Sequence, residues 1–281
     1  MKHHRLFQTL WYAVNGLLVV SLLLLIYSSI WEYSTRQYLK GFSDAIVPIS
    51  ASPEEKIQAI LKWMERGPSR QSENPSDEPS HRDPEKTLNY GELLRVCGTA
   101  TNAFVNLANS SGMPSRRLLL LDDNREVNHV VAEVLVDGRW IVVDPAFRFI
   151  PHGPHGELLT QQDLSNPTVF RAAVKDVPNY KSDYDYDMAI HVRMRRLPLI
   201  GRFIRPALSR LMPKWEDAVY WTLLLERESF AALNLALFSV LFFLVLRAIL
   251  SWYGEGHLQI YRVHVREQLL RAMRVFVRGS A

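Results

Sequence analysis

Charge is distributed along this chain in a way that leaves few folds open. Leu6 to Trp31 is 26 residues without a charged side chain, between Arg5 and Glu32, and Ser229 to Leu246 is 18 more, between Glu228 and Arg247. A bilayer core of ~30 Å takes roughly 20 apolar residues in helix, so both stretches read as membrane spans. Trp11, Tyr12, Trp31 and Tyr33 bracket the first like interfacial anchors. Its apolar part is longer than the h-region of a secretory signal, and no small-x-small site follows, so an uncleaved anchor is expected. The second contains Asn234 and ends at Arg247, but "ALFSVLFFLVL" is apolar all round, which suits lipid better than a soluble core.

The flanking charges set an orientation. Lys2 and Arg5 precede the first span, and Arg247, Arg262, Arg266, Arg271, Arg274 and Arg278 accompany or follow the second. Positive residues stay in the cytoplasm, which predicts a two-pass cytoplasmic (inner) membrane protein with both termini inside and a periplasmic or otherwise extracytoplasmic central domain. Arg193, Arg195, Arg196, Arg202, Arg205, Arg210 and Lys214 then lie on the outer side, against the trend. Residues 6–190 carry a net charge of −6 and residues 191–281 a net of +8. Because the basic residues cluster beside the spans, membrane lipids are the expected partner and nucleic acid is not. No zinc finger, RNP motif or phosphate-binding glycine loop is present.

The expected organisation is a cytoplasmic N-terminus over 1–9, a first membrane helix over 10–31 and a domain over 45–190 with a loop at 67–87. A basic juxtamembrane segment over 191–226, a second membrane helix over 227–250 and a basic tail over 251–281 follow. Within the domain, "SPEEKIQAILKWMER" predicts a helix capped by Ser52, with Pro53 at its first position and Glu55 closing a capping box. Cys97 opens a second helix, whose stripe of Ala100, Ala103, Phe104, Leu107 and Ala108 ends at Gly112 and Pro114. Strands are predicted at 117–121, 127–136 and 139–143, and a helix capped by Thr160 over 160–175. A helix followed by an antiparallel meander gives an α+β class. "YKSDYDYDM", 180–188, reads as a surface loop, and "PHGPHG" as a solvated loop; no metal or cofactor is expected.

Asp137-Gly138 is a two-residue hairpin turn, and it fixes a register. Leu135 then faces Trp140, Glu133 faces Val142 and Val131 faces Asp144. His129 and Asp144 become diagonal neighbours on one side of the sheet, with Cα atoms ~7–8 Å apart. Cys97 precedes Ala100 by three and Phe104 by seven, so it lies on the stripe that must face the sheet, and order and faces agree with a meeting at His129. Cys97 is the only cysteine, which excludes an intrachain disulfide. A thiolate in the first turn of a helix beside an imidazole is stabilised by the helix dipole and by the cation, and is a competent nucleophile. The roles that follow are Cys97 as nucleophile, His129 as base and Asp144 as the group that orients the imidazole. Asn89, Tyr90 or a backbone amide would join the Cys97 N–H as oxyanion donor.

"GELLRVCGTATNAFVNLANSSGMPSRRLLLL" and "NHVVAEVLVDGRWIVVDPAF" together resemble the transglutaminase-like superfamily, a circularly permuted relative of papain-like cysteine proteases. The resemblance rests on the order Cys, small-residue helix, Gly-x-Pro-x-Arg, strand, His, Glu four residues on, Gly-x-Trp and Asp-Pro. It implies Cys97, His129 and Asp144 as the triad, with Gly112, Pro114, Arg116, Glu133 and Trp140 at framework positions. Two positions depart from many relatives: Val131 stands where a Trp often follows the His, and Arg95-Val96-Cys97 stands where Gly-x-Cys is common. The expected protein is a membrane-anchored cysteine enzyme with a papain/transglutaminase-like core between two transmembrane helices. It would act on amide bonds of a protein, peptide or peptidoglycan-peptide substrate at the cell envelope. The alternatives are a non-catalytic scaffold in an envelope polysaccharide or secretion complex, and an acyltransferase drawing on lipid.

Overall fold

Each element forms where its end signals lie. The structure, a computed structural model, describes residues 2–66, 84–88, 96–181, 183–191 and 219–257, with Pro206 and Arg210. It divides into two units, Met1–Ile30 with Ala232–Ala281, and Trp31–Ala231.

The first unit is built on the charge-free stretches. Helix α1 runs Lys2–Ile46 and the last described helix, α8, runs Glu228–His257. Both are long and apolar enough to cross a membrane. Leu23, Ile26, Phe238 and Phe242 are exposed, a surface that lipid would cover and water would not favour. The Arg247 guanidinium lies 5.8 Å from the ring centre of Trp11, a cation–π contact that gives this charge a partner.

The second unit is α+β. After α1 come α2 (Pro53–Glu65), α3 (Pro84–Thr87) and α4 (Cys97–Ser110). Strands β1 (Ser115–Leu121), β2 (Val127–Val136) and β3 (Arg139–Val143) follow. Next are α5 (Gln161–Leu164), α6 (Pro167–Val174), β4 (Ala189–Ile190) and α7 (Val219–Glu226). Ser52 Oγ accepts from Glu55 N at 3.3 Å and Ser52 N donates to Glu55 Oε2 at 2.7 Å, the capping box expected at the start of α2. The helix expected over 160–175 is two, because Asn166 caps a new start and Pro167 takes its first position.

The strands form an antiparallel sheet in the order β3-β2-β1-β4 among the described residues. Leu135 pairs with Trp140 and Glu133 with Val142, the register that the Asp137-Gly138 turn dictates. Asp137 and Gly138 have φ of 49° and 79°, as a turn of the primed type requires.

Two cores lie on the two sides of this sheet. One joins Ile57, Ile60 and Met64 of α2 to Phe104 and Leu107 of α4, and to Ala132, Val134, Val136, Ile141 and Val143 of the strands. The other joins Leu118, Leu120, Val131 and Val142 to Leu164, Phe170, Tyr184 and Tyr186. Helix α4 therefore covers the face opposite to the one that carries His129, correcting the sequence-based expectation that its stripe and His129 share a face. Both sets of alternating residues in "VNHVVAEVLV" are apolar enough to be buried, so strand periodicity could not say which side the helix takes. The helix is also more enclosed than its stripe implies: Thr101, Asn102, Val105 and Asn106 are buried as well.

Candidate functional site

The site lies where α4 begins and β3 ends. Val96 is the residue before α4, and its side chain offers no cap. Thr99 secures the start instead, its hydroxyl accepting from Val96 N at 3.2 Å and donating to Val96 O at 2.9 Å. Strand β3 stops at Val143, opposite Ala132, so β2 continues past it toward His129. Here the Thr101 hydroxyl donates to Val130 O at 3.0 Å, tying the early turns of α4 to the backbone beside His129. A partly exposed Cys97 thus comes to a histidine whose ring belongs to the other side of the sheet.

His129 and Asp144 are both fully buried. Nε2 of His129 and Oδ2 of Asp144 are 2.7 Å apart. A carboxylate can only accept, so Nε2 carries a proton, and Nδ1 is the nitrogen that gains or loses one as His129 titrates. Asp144 Oδ1 accepts from Ala146 N at 3.0 Å and Phe147 N at 3.1 Å, and Oδ2 accepts a second bond from the Tyr180 hydroxyl at 3.0 Å. Four donors thus converge on the two oxygens of one carboxylate.

Nδ1 of His129 is buried and makes no hydrogen bond of ordinary geometry. The Cys97 side chain nevertheless couples to this imidazole, by hydrogen bonding and by charge. Burial alone would lower the His129 pKa; the charge and hydrogen bond of Asp144, then those of Cys97, outweigh it and raise it from 6.5 to about 9.

The sequence did not anticipate the aromatic wall. Tyr184 stacks on the imidazole with ring centres 4.4 Å apart and planes 6° from parallel, and Phe147 meets its edge at 5.7 Å. Tyr184 and Tyr186 are buried, correcting the expectation that 180–188 is a surface loop. The signal was present in "DYDYD": Asp183, Asp185 and Asp187 are exposed and the tyrosines between them face the core, a period of two. Tyr184 puts an aromatic ring against the histidine, while Val131, two residues after it, is buried in the core beneath.

The framework positions also meet. Arg116 Nε donates to Glu133 Oε2 at 2.7 Å, the guanidinium lies 4.0 Å over the Trp140 ring, and His191 Nε2 is 2.7 Å from the same Glu133 oxygen. Gly112, with φ of 78°, is left-handed just past the end of α4 and lets the chain turn into β1. Asn89 and Tyr90, the oxyanion candidates, lie outside the described residues, as do 67–83, most of 192–218 and 258–281. His152 is held by Ile150 O at 2.8 Å and stands 3.4 Å from Glu54, while His155 is exposed.

Residues 40–145 match the family model of the transglutaminase-like superfamily. The chain carries a transglutaminase-like domain. The match takes in Cys97, His129 and Asp144, and stops short of the aromatic wall of this transglutaminase-like domain. No curated protein and no solved structure matches the chain.

Proposed function

We propose that the domain is a cysteine enzyme acting on amide bonds through a thioester. The observation that carries the reading is the buried His129–Asp144 pair at 2.7 Å, with Cys97 coupled to the same imidazole. Cys97 gives its proton to His129 Nδ1, and the sulfur attacks the amide carbon. The oxyanion sits against the N–H groups of the first turn of α4, Cys97 among them, where the helix dipole favours negative charge. The C–N bond breaks and the imidazolium returns its proton to the departing amine. Water then attacks the thioester, loses a proton to His129, and releases an acid and the thiol. An amine in place of water gives transamidation by the same steps. Asp144 keeps Nε2 protonated and stabilises the imidazolium throughout.

The two apolar helices suit an anchored enzyme, with both termini cytoplasmic and the domain extracytoplasmic, acting on a protein, peptide or peptidoglycan peptide. Reporter fusions at residue 90 and at the C-terminus should report outside and inside respectively; a cytoplasmic signal at residue 90 refutes this topology. For the chemistry, full-length protein in nanodiscs is alkylated with iodoacetamide below pH 7. Cys97 should react faster than a free thiol, and His129→Ala should slow it. One observation favours the scaffold alternative: the imidazole is fully covered. Labelling no faster than a free thiol, and indifferent to His129→Ala, would establish that alternative.

A further inference from the structure

Asp144 is shared. Its Oδ2 oxygen accepts from His129 Nε2 at 2.7 Å and from the Tyr180 hydroxyl at 3.0 Å. The Tyr180 oxygen lies 3.1 Å from that of Tyr186. A phenol has one proton. Since Tyr180 spends its proton on Asp144, the proton between the two tyrosines belongs to Tyr186, and the chain is directed: Tyr186 donates to Tyr180 and Tyr180 to Asp144, where His129 donates to the same oxygen. Burial first, then the negative charge of Asp144, pushes both phenols above their usual range, so both stay protonated donors at any working pH.

Resting on the enzymatic reading above, we infer that Tyr180 is a positioning residue for the proposed reaction, acting through Asp144 to set how tightly His129 holds its proton. The phenol places the positive end of its dipole on the oxygen that faces the imidazolium. It thereby takes a share of the carboxylate's charge and weakens its pull on Nε2–H. Without it, Oδ2 would bind the imidazolium more strongly, and His129 would surrender its proton to the leaving amine less readily. Tyr186 acts one step further away, because accepting its proton makes Tyr180 a better donor.

The ionisable groups around the pair are few among the described residues. Cys97 comes from α4, Asp144 from the end of β3, and Tyr180, Tyr184 and Tyr186 from the segment after α6. On the same sheet face, Glu133 and Arg116 neutralise one another at 2.7 Å, with His191 bonded to the same carboxylate. Asp183, Asp185 and Asp187 are exposed. Tyr180 is thus the one phenol bonded directly to the triad carboxylate among the described residues.

The test is the pH profile of Cys97 alkylation in full-length protein in nanodiscs, for wild type, Tyr180→Phe, Tyr186→Phe, the double variant and His129→Ala. The basic limb of the wild-type profile should report His129 near 9. Tyr180→Phe should move that limb upward by about half a pH unit or more, as losing a competing hydrogen bond to a neighbouring charge does. Tyr186→Phe should move it the same way by less, and should add nothing in the Tyr180→Phe background. A profile that His129→Ala alters but Tyr180→Phe leaves in place overturns this inference and spares the enzyme. A wild-type profile that His129→Ala does not alter overturns the enzymatic reading itself. An unchanged melting temperature in Tyr186→Phe separates a shifted limb from partial unfolding. If Tyr180→Phe fails to fold, a limb that Tyr186→Phe does not move overturns the directed chain.

Discussion

The helix side of the sheet and the aromatic side both bury ions, and they treat them differently. On the helix side, Glu32 of α1 accepts from Arg227 Nη1 at 3.0 Å and from Ser229 Oγ at 2.7 Å. Arg227 Nε donates to Asn106 Oδ1 at 3.1 Å, and Asn106 Nδ2 donates to Asn102 O at 3.0 Å. Asn102 Nδ2 reaches Glu226 O at 2.6 Å and its Oδ1 accepts from Thr87 at 2.9 Å, while Arg117 pairs with Glu226. Each amide and carboxylate there is spent on a neighbour. On the aromatic side, Asp144 is as fully engaged, but His129 keeps one nitrogen short of a bond. Arg117 Nε on the helix side is also buried without a hydrogen bond, but a guanidinium nitrogen can only donate, whereas an imidazole nitrogen can also take up a proton, which is what the proposed chemistry asks of His129.

The comparison can be broken by experiment. The largest effect should come from His129→Ala, which should lower amide turnover by about 10²–10⁴-fold, the range for loss of a general base. Steady-state kinetics on a fluorogenic peptide amide, with the melting temperature unchanged within a few degrees, checks it. Next is Arg227→Ala. It leaves buried Glu32 with only Ser229 and the exposed Arg36, and Asn106 Oδ1 without its donor, and should cost up to about 3–5 kcal/mol of stability, measured by chemical unfolding in detergent. Turnover per folded molecule should hardly change if the helix-side cluster is purely structural.

A third test uses pH. His129 binds its proton more tightly folded than unfolded, so its contribution to stability is whole below about 6.5 and is lost as pH climbs through about 9. The melting temperature should therefore fall across that window, and the fall should vanish in His129→Ala. The smallest effect should come from Ser52→Ala, which removes the cap of α2 on the helix side. It should cost about 1 kcal/mol and leave Cys97 labelling unchanged.

Much of the site was legible because it sits on short-range devices. Asp137-Gly138 dictates the register of β2 and β3, and that register alone brings His129 and Asp144 onto one face. Gly112-Met113-Pro114 marks the end of α4, and Ser52 the start of α2. What the sequence concealed depends on the third dimension. Val131 and Ala132 look equally fit for burial, so the side chosen by α4 is settled only by what covers the other. Tyr180 and Asp144 are 36 positions apart, and no periodicity joins them. Asn102 and Asn106 look like polar interruptions of an apolar helix until Glu226 and Arg227, over 120 positions later, are brought alongside.

The stretch that matches the superfamily ends at residue 145, whereas the phenol on Asp144 comes from residue 180 and the partners of Asn102 and Asn106 from residues 226 and 227. A fragment trimmed to the matching stretch would expose the imidazole's stacked face and leave Asn102 Nδ2 without its acceptor and Asn106 Oδ1 without its donor. The compact unit that holds the described site whole runs from residue 31 to residue 231, taking with it the polar ends of both apolar helices.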